Sequence, residues 1–224
     1  MQEAPRGMAR AAIAGETAYL LPERALFLPE YRLLLVADPH FGKGGVFRRN
    51  GIPLPAGTTG DDLDRLSGLI NGLRPEALVI LGDFFHGPPV ADEPWLDIFR
   101  RWRRKHAAVP VRVIAGNHDR AVGPACSALG LDWHLEGLEI GPFFLAHEPT
   151  PVAGRHVLAG HLHPVTRLRG PGDRLRVPVF WTGAERTVLP SFGSLTGGYA
   201  VRPRRGERLF AVGPDAVVEL SAGG

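Results

Sequence analysis

The apolar positions of this chain fall into short, dense runs, most of which end on a glycine or on a polar, titratable residue. Tyr31 to Ala37, Ala77 to Leu81, Val111 to Ala115 and Phe143 to Ala146 have the length and composition of buried strands. The stretch from 16 to 37 as a whole reads as two or three strands broken at Pro22 and Pro29. Between the runs lie two segments with helical spacing. Thr58 to Leu73 offers Thr58 or Thr59 as an N-cap and places Leu63, Leu66, Leu69 and Ile70 on one face. Pro94 to Lys105 places Trp95, Ile98, Phe99 and Trp102 on one face and arginines on the other. Residues 42 to 57, rich in Gly, Pro and Arg, read as a loop, and so does the glycine-rich stretch Leu189 to Gly198, expected near the site. From 143 onwards the pattern is of short strands and turns, ending in Arg208 to Val212 and Ala216 to Leu220. Strand, helix and strand followed mostly by strands predict an α/β fold of two stacked sheets flanked by helices. At 224 residues the chain is expected to form a single domain spanning 1–224.

The ends of these runs carry the chemistry. Asp38-Pro-His40, Gly82-Asp83, Gly116-Asn117-His118-Asp119, His147 and Gly160-His161-Leu-His163 follow strand-like segments, so the fold can gather them at one sheet edge. Along an extended chain residues two apart face the same way, which lets Asp38 and His40 meet at one ion, and likewise His161 and His163. Gly82 lets backbone come close to the ions, and Asp83 can offer one oxygen to each as a bridge. The Asn117 amide oxygen is a neutral ligand, and His118 is left free for proton work. Five of the nine histidines lie in these clusters, and an unpaired carboxylate beside an apolar run is costly to bury, so a cation partner is expected. Carboxylate, imidazole and amide without thiolate suit two hard or borderline divalent cations better than a structural zinc. Manganese is the expected ion, with iron, zinc and nickel as alternatives.

Composition changes the picture little. The formal charge is only +3 despite a pI of about 9.5, and lysine occurs only at 43 and 105. Lys43, Arg48 and Arg49 follow the first ligand pair and either grip phosphates flanking a scissile one or form a solvated loop. Arg100, Arg101, Arg103, Arg104 and Lys105 read as the solvent face of their helix. The single cysteine, Cys126, reads as a small packed residue and agrees with a reducing compartment. Ala11 to Ala14 is too short for a signal peptide or a membrane span, so a cytoplasmic protein without membrane attachment is expected. His86 either touches substrate or packs, and His106, His134 and His156 read as surface or capping residues.

The order Asp-x-His, Gly-Asp, Gly-Asn-His-Asp, His, Gly-His-x-His resembles the calcineurin-like metallophosphoesterase superfamily. Ala37 to Lys43, Phe47 to Pro55, Ala146 to Pro149, Gly160 to Pro164 and Leu189 to Gly198 resemble its bacterial branch of ligase-associated DNA-damage-response endonucleases. Pro39 departs from the pattern, standing where Leu or Thr is expected between two ligands, and should stiffen the loop. The resemblance implies a four-layer α/β/β/α sandwich of two mixed sheets. It also implies one ion held by Asp38, His40 and His163, a second by Asn117, His147 and His161, and Asp83 between them. Two such ions share a water and lower its pKa, giving a bridging hydroxide for in-line attack on a phosphodiester. His118 is the expected acid for the leaving oxygen, its tautomer held by Asp119.

DNA is the substrate that the resemblance implies, in repair, in functional association with a DNA ligase and a helicase; a homo-oligomer stays open. The same metal pair serves phosphatases and phosphodiesterases of small metabolites or cyclic nucleotides, which is the alternative reading. A scaffold that kept the fold and lost its chemistry is a third, opposed by the intact ligand set and His118.

Overall fold

The computed structural model describes residues 7–49, 51, 58–87, 93–119, 129–170 and 173–221. The first sheet takes β1 (Ala9–Ile13), β2 (Glu16–Leu21), β3 (Ala25–Leu28), β4 (Leu33–Ala37), β5 (Ala77–Leu81), β6 (Val111–Ile114) and β7 (Asp132–His134), side by side in chain order. Its first four strands run antiparallel and β4 to β7 are parallel. The second sheet is built from β8 (Leu138–Ile140), β9 (Phe143–Leu145), β10 (His156–Ala159), β11 (Pro164–Gly170), β12 (Asp173–Thr182), β13 (Arg186–Val188), β14 (Tyr199–Ala200), β15 (Arg208–Val212) and β16 (Val217–Leu220). Its main path runs β14-β11-β12-β13-β10-β9-β8, with β15 on β12 and β16 on β15. Both sheets are mixed, as the family resemblance implies.

The layering explains why β4 and β5 are apolar throughout. Leu34, Val36, Leu78 and Ile80 face a core shared with helices α2 (Thr58–Leu73) and α3 (Pro94–Lys105), whereas Leu33, Leu35, Val79 and Leu81 face the second sheet. A strand covered on both sides cannot alternate apolar with polar. Helix α2 contributes Leu63, Leu66, Leu69, Ile70 and Leu73 to that first core, each worth roughly 1.5 to 3 kcal/mol on full burial. Pro94 starts α3 at a position where its missing N–H costs nothing. The far face of the second sheet carries a smaller cluster of Val177, Val179, Val201, Leu209 and Ala211. No helix covers it among the described residues.

One segment departs from expectation. Part of the predicted 42–57 loop is a short helix, α1 (Lys43–Arg49). Its two consecutive glycines hide it from propensity, but Gly45 N–H and Val46 N–H both donate to the Gly42 carbonyl and start the turn. No helix among the described residues is long and apolar enough to cross a membrane.

Candidate metal centre

The carboxyl ends of β4, β5 and β6 lie side by side in the parallel part of the first sheet, and the ends of β9 and β10 do so in the second. The two sheets join at this edge: Phe192 N–H donates to the Ala37 carbonyl at 2.7 Å, and Ser191 Oγ to that of Asp38 at 2.8 Å. Beyond the strands the chain stays paired, His40 N–H bonding to Asp83 O and Phe41 N–H to Phe84 O. The expected ligands therefore arrive from both sheets at one place.

They do not arrive on extended chain. Asp38, His40, Asp83, His161 and His163 all have positive φ, between 46° and 67°, and make up five of the nine such non-glycine residues among those described. The expected alternation of an extended strand is thus not what pairs Asp38 with His40 or His161 with His163; left-handed turns do. Such backbone costs of order 1 to 3 kcal/mol per residue and persists where surrounding structure enforces it, typically at a functional site. Asp and His tolerate it better than most residues.

Two glycines make the packing possible, in a way the sequence does not reveal. A Cβ on Gly82 would overlap the imidazole of His147, so the missing side chain makes room for a ligand and not for an ion. A Cβ on Gly160 would lie 2.5 Å from Asp38 Oδ2 and 2.9 Å from Leu81 O.

Ligand atoms of His40, Asp83 and His118 form one mutually close group, and those of Asp38, Asp83 and His147 another. Asp83 belongs to both, the position a bridging carboxylate needs. Asp83 Oδ2 lies 3.7 Å from His40 Nε2 and Oδ1 lies 3.6 Å from His147 Nε2; Asp38 Oδ2 lies 3.4 Å from His163 Nε2. His147 donates Nδ1–H to Leu81 O at 3.3 Å, which leaves Nε2 as the lone-pair nitrogen, 3.0 Å from His161 Nδ1. Asn117 and His118 are exposed beside them.

This donor set fits a divalent cation. Asp38 is fully buried, yet its Oδ1 has no hydrogen-bond partner; neither has His40 Nδ1 nor His163 Nε2. Buried polar atoms of this kind call for an ion or a ligand. Burial pushes the Asp38 carboxyl above the usual carboxylate range against the pull of His163 and His147, a cost that a cation would remove. Burial, then the neighbouring His163 and Lys43, push His40 down to about 2, so its imidazole is neutral, as ligation requires.

Asp119 does not orient His118. Its carboxylate accepts from the backbone N–H groups of Phe84, Phe85 and Gly116 at 2.9 to 3.0 Å, tying the loop after β5 to the loop after β6. His118 in turn donates its backbone N–H to Asp83 Oδ1 at 3.1 Å. Asp119→Ala is expected to destabilise the fold by about 3 kcal/mol, because three buried donors lose a charged acceptor. For a chain of this size that is a fall in Tm of roughly 6 to 12 °C, with partial recovery in Asp119→Asn. Thermal melts of the three proteins check it, and an unchanged Tm in the alanine variant would refute the clamp.

The centre opens on a cleft of about 350 Å³ whose walls include Lys43, His86, Thr196, Gly197, Gly198 and Tyr199. The end of the Leu189 to Gly198 stretch thus lines the cleft, and the stretch lies near the site as expected. Residue Lys43 reaches the cleft, while the side chains of Arg48 and Arg49 lie outside the described structure, as do the segment 52–57 and Cys126. His86 is a wall residue stacked between Phe47 and His118, with interplanar angles of 16° and 22°. Of the histidines expected as surface or capping residues, His106 is the C-cap of α3, and both it and His156 are buried. His106 bonds Ser67 Oγ, and His156 bonds Thr187 Oγ1, each at 2.9 Å. Arg103 on α3 donates to the carbonyls of His106, Ala107 and Val109, and so closes the helix end.

Comparison with known proteins places this edge of acid and imidazole side chains among the metal-dependent phosphoester hydrolases. The family model described as calcineurin-like phosphoesterase matches residues 31–170. The chain belongs to that family. Among solved structures it is similar to the nuclease MPE of Pseudomonas putida, with 37% identity, 95% of this chain and 100% of that one covered, and a TM-score of 0.84. Yfce, a phosphoesterase from E. coli, is 16% identical over 85% of this chain and 99% of its own, with a TM-score of 0.44. AQ665 of Aquifex aeolicus is 20% identical over 58% and 78%, with a TM-score of 0.40. At such scores these two add nothing to the functional argument. No curated protein sequence matches the chain.

Proposed function

We propose that the protein is a two-metal phosphodiesterase that cleaves nucleic acid, with DNA undergoing repair as its substrate. The observation that carries the two-ion reading is the place of Asp83 in both ligand groups. The nucleic-acid reading draws on 37% identity to a nuclease over its full length. Asp38, His40 and His163 would hold one ion, Asn117, His147 and His161 the other, with Asp83 shared. Bound there, the ions would lower the pKa of a water and neutralise charge on the phosphoryl oxygens. Manganese suits this histidine-rich set better than magnesium, which prefers oxygen ligands.

The side chains do the rest. His118 stands exposed at the rim, where it can deliver a proton to the leaving oxygen. Lys43 on the cleft wall supplies positive charge for the substrate phosphates, with Arg48 and Arg49 following on the same helix. Asp119 fixes the two loops that present Asp83 and Asn117, so its contribution is positional.

The test compares plasmid DNA, a single-stranded oligonucleotide, a generic phosphodiester and a phosphomonoester with the manganese-loaded protein. Cleavage of nucleic acid, and hydrolysis of the diester faster than the monoester, are expected. Intact DNA together with rapid monoester hydrolysis would overturn the reading in favour of a small-metabolite phosphatase.

A further inference from the structure

The β11–β12 hairpin leaves the metal centre directly, β11 beginning at Pro164, one residue after His163. Its register places Arg167 opposite Arg176 and Arg169 opposite Arg174. Directly opposed residues of an antiparallel pair project from one face, and like charges there repel. The Arg167–Arg176 pair is therefore a cost to the hairpin on its own. No carboxylate relieves it: neither Arg167 nor Arg176 makes an ion pair among the described residues, and both are exposed. The contact that Arg176 does make is a hydrogen bond from Nη2 to the carbonyl of Gly198, on the cleft wall, at 2.6 Å.

The direction of this face follows from the pleat. Position 176 shares a face with Phe180, which lies in the core between the sheets, whereas Val177 and Val179 belong to the cluster on the far side. Only Val179 to Thr182 of the ten-residue β12 pair with β15, so the arginine-bearing part extends past that pairing, alongside the segment that follows His163. The arginine face is thus the face turned towards the first sheet, at the edge where the ligands gather. Arg167 and Arg169 are two residues apart on β11, about 6.6 Å along a strand. That is close to the spacing of successive phosphates along an extended nucleic-acid strand.

We propose that the arginine face of the β11–β12 hairpin is the track for the polyanionic backbone of a nucleic-acid substrate, holding phosphates that flank the one at the metal centre. This inference rests on the nucleic-acid reading of the site. It adds a second basic wall, on the opposite sheet from Lys43. A repeating polyanion can meet the Arg167–Arg176 pair and the metal centre at once, as a single small anion does not.

The experiment uses the full chain with Arg167→Ala/Arg169→Ala, and in parallel Arg167→Glu/Arg169→Glu. Neither residue belongs to the metal centre, and removing one side of a repulsive pair should leave Tm unchanged or raised. Turnover of a small phosphodiester is expected to stay at the wild-type value in both variants. Oligonucleotide KM should rise severalfold in the alanine protein and further in the glutamate protein, with kcat nearly constant. The slope of log binding constant against log salt should shrink by about 0.9 per lost contact on duplex DNA, or about 0.7 on single strands. A wild type that cleaves nucleic acid while both variants keep its KM and its salt slope would overturn the hairpin track alone. A wild type that cleaves no nucleic acid would instead overturn the underlying reading, and the track with it.

Discussion

Asp83→Ala is expected to empty the metal centre and to reduce turnover by on the order of 10³-fold or more. Removing a single preorganised group that stabilises developing charge costs about 10² to 10³ in rate, and here the side chain belongs to both ligand groups. Asp83 also accepts the backbone N–H of His118, so its loss frees the loop that carries Asn117 and His118. Asp83→Asn separates the two effects. The amide keeps an acceptor for His118 N–H and nearly the same shape, but loses the charge that a bridge between two cations supplies. Both variants should remain folded by circular dichroism, with fewer bound ions in each. An Asp83→Ala protein with wild-type metal content would remove Asp83 from the centre.

His118→Ala is expected to keep both ions and to lose about 10² to 10⁴ in kcat on a substrate with a poor leaving group, the range typical of a lost general acid. A diester with a good leaving group needs no proton and should recover most of that loss. The structure sharpens this test, because the His118 imidazole lies close enough to His40 and Asp83 to serve as a ligand. The ion count therefore discriminates: a ligand lost would lower metal content, and an acid lost would not. Equal damage on good and poor leaving groups, with metal intact, would exclude the acid role.

The sequence disclosed what depends on local order. Helices α2 and α3 are legible because apolar residues recur at helical spacing over three turns or more, with a threonine or a proline at the start. The metal clusters are legible because parallel strands all present their carboxyl ends at one edge. What stayed hidden depends on residues distant along the chain. His106 and His156 are buried against partners 39 and 31 positions away. Asp119 looks like an orienting partner for the adjacent His118, yet it spends its oxygens on amides that include two 34 and 35 positions back. The left-handed backbone at these positions also stayed hidden, because Asp and His permit a positive φ without requiring it. The arginine pairs of the hairpin emerge only once register is known, because Arg167 and Arg176 are scattered charges until they stand opposite each other.

The most direct test of a two-ion centre is a count of bound metal on the wild-type protein, loaded with manganese and freed of excess, beside its activity before and after chelation. Two ions per chain, activity abolished by the chelator and restored by manganese are the expected result. One ion or none, with turnover indifferent to chelation, would contradict it.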